Sequence, residues 1–301
     1  MKLAQLTSFL VTKILSLVQD SQIFSPWKRD VPAIQSPGDY GLDWLRETTL
    51  RTDDNIDITI WEDTETDFTK QQQPLFVVFH GNTGHFGSVG TDDKSCDHKY
   101  RLNLLKEIHK RGYHTLAVSM RGYGKSGGKS SEEGFNKDIE AVLKHIEKCN
   151  ISPGNIVLFG ESLGASNALM AACKMQNNGK NPGETVLLAP FTSIAEKAIE
   201  KFPVIHKEHL TGVLRHLFDN KEYIQKLKPG TPLCILYPEK DETTPIHHSE
   251  VLAKIASGAG LRVTFHKIKG GHVTWSPQEA LDKTTAAYQQ HHQGTTKSGK
   301  I

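Results

Sequence analysis

The pentapeptide Gly160-Glu161-Ser162-Leu163-Gly164 follows the largely apolar run Asn155-Ile156-Val157-Leu158-Phe159 and opens the alanine-rich stretch from Ala165 to Cys173. A strand that enters a helix through so short a turn forces its serine into a strained backbone conformation. The glycines two positions to either side leave room for strand and helix to close on each other. The serine hydroxyl then stands exposed at the end of a sheet strand. Glycine, serine and glycine at this spacing would arise by chance in about one chain of this length in ten. The flanks and the distant partners therefore decide the reading.

Those flanks alternate strand and helix along the 301 residues, the pattern of α/β architecture: a mostly parallel central sheet with helices on both faces. Residues 46–62 read as an antiparallel hairpin, Pro74 to Phe79 as a buried strand, Tyr100 to Lys110 as a helix closed by Gly112, and His114 to Ser119 as the next strand. Ser130 and Glu133 have the spacing of a capping box, ahead of Phe135, Ile139, Val142 and Ile146 at helical intervals. Further strands are expected at 184–189, 232–238 and 262–268, and a final helix at Ser276-Pro277-Gln278-Glu279.

The domain expected from this pattern spans residues 40–290, with a lead-in at 1–39 and a polar tail at 291–301. A small helical cap is expected at about 202–227, where Leu210, Val213, Leu214, Leu217 and Phe218 form an apolar stripe. Residues 83–98, long and Gly-rich, read as a lid. In the lead-in, Leu3, Leu6, Leu10, Ile14, Leu17 and Val18 fall on one helical face. Polar breaks at Thr7, Ser8, Thr12 and Lys13 stop short of the ~20 apolar residues a membrane span needs. Two alternatives stay open: a helix packed on the domain, or one lying in a membrane interface as a peripheral contact.

A serine made nucleophilic needs a base, and the base needs an acid to orient it, both from loops at the carboxyl ends of later strands. After the strand ending at Tyr237 comes Pro238-Glu239-Lys240-Asp241-Glu242, where Asp241 is the expected acid and a turn-capping aspartate is the alternative. After the last strand comes Lys269-Gly270-Gly271-His272, which makes His272 the expected base; His266 lies within the strand, and His247 and His248 are assigned to a surface helix. For the oxyanion of a tetrahedral intermediate, Phe79-His80-Gly81-Asn82-Thr83-Gly84 supplies the backbone N–H of Asn82, with Thr83 as runner-up, and the turn supplies that of Leu163. His80 is expected to brace this loop.

Composition excludes other classes. With 36 basic against 34 acidic side chains the net charge is +2, so charge implies no nucleic-acid partner. Gly124-Lys125-Ser126 ends like a phosphate loop, but position 119, where its first glycine should stand, is Ser119. No histidine pair has metal spacing beside a suitable glutamate, so neither metal nor cofactor is expected. Cys96, Cys149, Cys173 and Cys234 lack paired spacing and read as reduced thiols of a cytoplasmic protein.

Together with Arg121-Gly122-Tyr123-Gly124-Lys125-Ser126-Gly127 and Ala189-Pro190-Phe191-Thr192-Ser193, these motifs resemble the α/β-hydrolase superfamily over roughly residues 40–290. The resemblance is to the subgroup of membrane-associated depalmitoylases and acylglycerol lipase-like enzymes. It implies a serine hydrolase acting on small-molecule or acyl-chain carboxylic esters or thioesters through an acyl-serine intermediate. A serine peptidase and a catalytically silent binding protein of the same fold are the alternatives. For Arg121 and Tyr123 it implies only a structural role at the floor beside the site. The chain departs from the subgroup in lacking a cysteine cluster near its start.

Overall fold

The computed structural model describes residues 19–25, 36–64, 73–87, 99–203 and 213–293, with Lys13, Ile14, Leu17 and Leu210 as isolated positions. Among the described residues eight strands form one sheet: β1 (Leu45–Arg51), β2 (Asp57–Asp63), β3 (Leu75–Phe79), β4 (His114–Ser119), β5 (Ile156–Glu161), β6 (Glu184–Leu188), β7 (Pro232–Pro238) and β8 (Arg262–Ile268). They lie in the order β1-β2-β4-β3-β5-β6-β7-β8. The pairs β1/β2 and β2/β4 are antiparallel and every other pair is parallel.

Period-2 alternation sends successive side chains to opposite faces, and both faces are covered. Leu75, Val77 and Phe79 of β3 join one apolar core with residues of α2 (Glu132–Lys148), α3 (Leu163–Asn177), α5 (Asn220–Lys226) and α6 (Ile246–Gly258). Phe76 and Val78 join the other, with residues of α1 (Lys99–Lys110) and α7 (Pro277–Gln293). Helix α4 (Ile194–Lys201) sits between β6 and β7. Register carries the architecture to the site. Phe79 pairs with Gly160, and Glu161 with Leu188. The loop after β3 and the turn after β5 thus leave the sheet side by side.

The structure corrects several expectations. The capping serine of α2 is Ser131, whose hydroxyl accepts from the Gly134 N–H at 3.0 Å, while the Ser130 hydroxyl donates to the Arg121 carbonyl at 2.9 Å. The tail does not begin at 291: α7 continues to Gln293, and buried His291 meets Glu184 at 2.6 Å. His248 is no surface residue. It is buried against Thr192 and Glu200, at 2.9 and 3.0 Å.

Of the cap stripe, Leu210 and Phe218 are buried whereas Leu217 is half exposed; residues 204–209, 211 and 212 lie outside the described residues. Residues 88–98 of the expected lid, Cys96 among them, are likewise outside, and its first part is core, since His85 and Phe86 are buried. Most of the lead-in helix is also outside the described residues. Ile14 and Leu17 are exposed, while Gln19, Ile23 and Phe24 pack on the domain. Among the described residues no helix is long and apolar enough to cross a membrane.

Candidate active site

Ser162 sits between β5 and α3 at φ 53° and ψ −112°, in the left-handed half of φ that L-residues avoid. Such a conformation costs about 1–3 kcal/mol and persists only where its surroundings over-determine it. Here the Ser162 N–H donates to the Leu188 carbonyl at 2.8 Å, and the buried apolar face of α3 fixes the other side. The flanking glycines are sterically required. A Cβ on Gly160 would fall 2.1 Å from the Gly164 carbonyl oxygen, and one on Gly164 would fall 2.2 Å from that of Phe79.

Two loops bring the partners to this turn. Beyond β7, Asp241 Oδ1 accepts the N–H groups of Thr243 and Thr244 at 2.9 and 2.7 Å, and Oδ2 faces His272 Nδ1 at 2.8 Å. Turn capping and the contact with the histidine thus coexist, one on each carboxylate oxygen. Beyond β8, Gly270 has φ 101°, and a Cβ there would lie 2.2 Å from the Thr274 carbonyl oxygen. The Lys240 N–H donates to the Gly270 carbonyl at 2.9 Å and ties the two loops together. Because an ionised carboxylate only accepts, Nδ1 carries the proton, and the Nε2 lone pair faces Ser162 Oγ at 3.1 Å. The side chains of Asp241 and His272 are 2% and 13% exposed, so little water competes with this chain of hydrogen bonds.

Asn82, Leu163, Ser162 and His272 all line one cavity of about 710 Å³. Leu163 is the first residue of α3, where backbone N–H groups lack intrahelical acceptors. The Asn82 loop is held by its carbonyl groups: that of Asn82 accepts from the Tyr123 hydroxyl at 2.8 Å, and that of Thr83 from Arg101 Nη1 at 2.7 Å. His80 braces it from below. Its Nδ1–H donates to the Gly81 carbonyl at 2.7 Å and its Nε2 accepts the Met120 N–H at 3.3 Å. Burial, with the Arg101 charge adding to it, pushes this imidazole down to about 3, so it stays neutral. Arg121 is engaged elsewhere, bonded to Asp138 and Asp54.

Sequence reasoning missed the buried pair beneath the turn. Arg101 bonds Glu161 through Nε at 2.7 Å and Nη2 at 3.1 Å, and the Tyr100 hydroxyl reaches the same carboxylate at 2.7 Å. Burial pushes the Glu161 carboxyl up, but the guanidinium and then the tyrosine hydroxyl overcome that and hold it down at about 2. Arg101 therefore joins the residue before Ser162 to the residue after Asn82. One signal was legible: a glutamate between a buried strand and a buried serine must find a cation. Replacing Arg101 by methionine strands that charge and should cost about 3–5 kcal/mol. Urea denaturation measures this, and adding Glu161→Gln should recover part of the loss.

A mostly parallel sheet with a serine, a histidine and an aspartate converging at its carboxyl end is the architecture of an α/β hydrolase, and this chain has that fold. An α/β hydrolase from Vibrio vulnificus superposes with a TM-score of 0.68 at 20% identity, covering 97% of this chain and 95% of that one. The chain belongs to the family described as serine aminopeptidase, S33, which matches residues 71–232, more than half its length. Human protein ABHD12B is 32% identical over 198 residues, 62% of this chain and 51% of that protein. The lysophosphatidylserine lipase ABHD12 of Xenopus tropicalis is 28% identical over 272 residues, 79% of this chain and 66% of that protein. The chain thus spans about half to two thirds of the length of these relatives.

Proposed function

We propose that this protein is a serine hydrolase that cleaves carboxylic esters or thioesters through an acyl-serine intermediate. The observation that carries the reading is the continuous hydrogen-bonded path from Asp241 through His272 to Ser162, ending in the cavity. Ser162 Oγ attacks the acyl carbonyl while His272 Nε2 takes its proton. Asp241 holds the tautomer and stabilises the imidazolium that forms. The tetrahedral oxyanion rests on the N–H groups of Leu163 and Asn82, each contributing about 3–4 kcal/mol to the transition state. His272 then protonates the leaving group. Water, activated by the same imidazole, releases the acid.

The cavity supports an acyl substrate. Phe191, Ile194, Ala198, Phe202 and Leu214 give it an apolar wall large enough for a chain, and the lysophospholipid named for the Xenopus relative is an ester of that class. Assay of the purified chain on p-nitrophenyl esters of two to twelve acyl carbons, an acyl thioester, a lysophospholipid and an aminoacyl anilide tests it. We expect the acyl esters to exceed the anilide in kcat/KM by at least about 100-fold. A preferred anilide would make the protein a peptidase, and no turnover with any of them would make it a binding protein.

A further inference from the structure

Residues 19–25 precede the sheet and lie against the mouth of the site. On the cap side, the Arg215 N–H donates to Gln19 Oε1 at 2.7 Å, and Arg215 Nη2 and His216 Nε2 meet Asp20 Oδ1 at 2.8 and 3.1 Å. Lys201 Nζ at the end of α4 donates to Gln22 Oε1 at 3.0 Å. Phe24 is the anchor: its ring packs edge-on against Phe135, His216 and Phe218, with centroids 5.5, 5.1 and 6.0 Å away. On the sheet side, the Ser25 N–H donates to the Asn82 carbonyl at 3.1 Å, and the Ser25 carbonyl accepts the Gly84 N–H at 3.2 Å. Asn82 Nδ2 in turn donates to the Ile23 carbonyl at 3.3 Å. Gln19, Gln22 and Ile23 line the same cavity as Ser162 and His272.

We infer that residues 19–25 are a working strap of the active site: Ser25 fixes the Asn82 loop in its donor orientation, and Ile23 forms the wall that selects acyl-chain length. This rests on the ester-hydrolase reading above. An oxyanion donor is effective only when its direction is set before charge develops. The Asn82 carbonyl, one peptide beyond the donor N–H, is held at two points, by Ser25 and by the Tyr123 hydroxyl. Releasing one frees the peptide to turn. Ile23 acts separately, through volume: a larger side chain there shortens the chamber without touching the hydrogen bonds.

The test uses the full chain on the p-nitrophenyl ester series. Ser25→Pro deletes the N–H, and kcat should fall about tenfold at every chain length with KM within about twofold, because a transition-state contact is lost. Phe24→Ala keeps the Ser25 N–H but loosens the anchor that holds it against the Asn82 carbonyl, and supplies the same readout should the proline variant not fold, with a fall of about fivefold. Ile23→Trp should lower kcat/KM about tenfold for the dodecanoyl ester while the acetyl ester stays within about twofold. Wild-type kcat in both Ser25→Pro and Phe24→Ala, or an equal loss at all chain lengths in Ile23→Trp, would overturn the inference. Binding of dansylated undecanoic acid reads the wall without turnover. If wild type cleaves no ester, the hydrolase reading fails, and unchanged binding by Ile23→Trp would separately refute the wall.

Discussion

Ser162→Ala should leave a folded protein whose ester hydrolysis is slower by about 10⁶-fold, with no covalent labelling by a fluorophosphonate. The expected fold retention follows from the surroundings of the serine. Its backbone is held by the Leu188 carbonyl and by the packing of α3, neither of which uses the hydroxyl, and the hydroxyl's bond is to His272. Alanine meets the same strained φ that serine does. Its melting temperature should therefore shift little, and the lost activity can be assigned to chemistry. In the proposed mechanism the size of the loss follows from the nucleophile acting as one unit with its base: without an oxygen to deprotonate, His272 and Asp241 would have no work, and only binding and the oxyanion donors would remain. Labelling that persists in the alanine variant would identify another nucleophile and remove Ser162 from the mechanism.

The parts of this molecule that were legible in the sequence are those written in short-range periodicity. β4, β7 and β8 coincide with their expected spans, because alternating or continuous apolar residues bounded by glycine and proline fix a strand locally. The order Ser162, Asp241, His272 was legible for a different reason. Each stands just past the carboxyl end of a strand, so the parallel sheet brings them to one edge whatever lies between. What stayed hidden depends on long-range contacts. Ser130 and Glu133 had the better capping spacing, yet the Ser130 hydroxyl is claimed by the Arg121 carbonyl, and the cap falls to Ser131.

The same holds at both ends of the chain. His291 looked like tail until Glu184, from the start of β6, gave it a buried partner. Residues 19–25 looked like lead-in, and no property of their composition announces that Ser25 meets Asn82. Arg101 is the plainest case. Its position in α1 reads as one more helical cation, and only the sheet order, with β3 beside β5, brings Glu161 and the Asn82 loop within its reach. Periodicity reports which face a residue turns inward; it carries nothing about which neighbour waits there.

Asp241→Asn should reduce kcat by about 10⁴-fold while changing KM within about twofold, and the turn that carries residue 241 predicts why. In the wild type, Oδ1 accepts two backbone N–H groups and Oδ2 faces His272. An amide placed there has one acceptor and one donor. The Thr243 and Thr244 N–H groups demand the acceptor, so the NH₂ is turned toward His272 Nδ1. That nitrogen must then accept, the ring proton moves to Nε2, and the face presented to Ser162 becomes a donor that cannot take the serine's proton. Asp241→Ala would remove the turn and the partner together and could not separate the two. Kinetics of the asparagine variant on a soluble p-nitrophenyl ester, with its melting temperature alongside, make the distinction. A folded variant with normal turnover would shift the acid role to another carboxylate. The two that flank it in the same turn are poorly suited: Glu239 Oε2 lies 3.6 Å from Lys267 Nζ, and Glu242 lines the cavity itself.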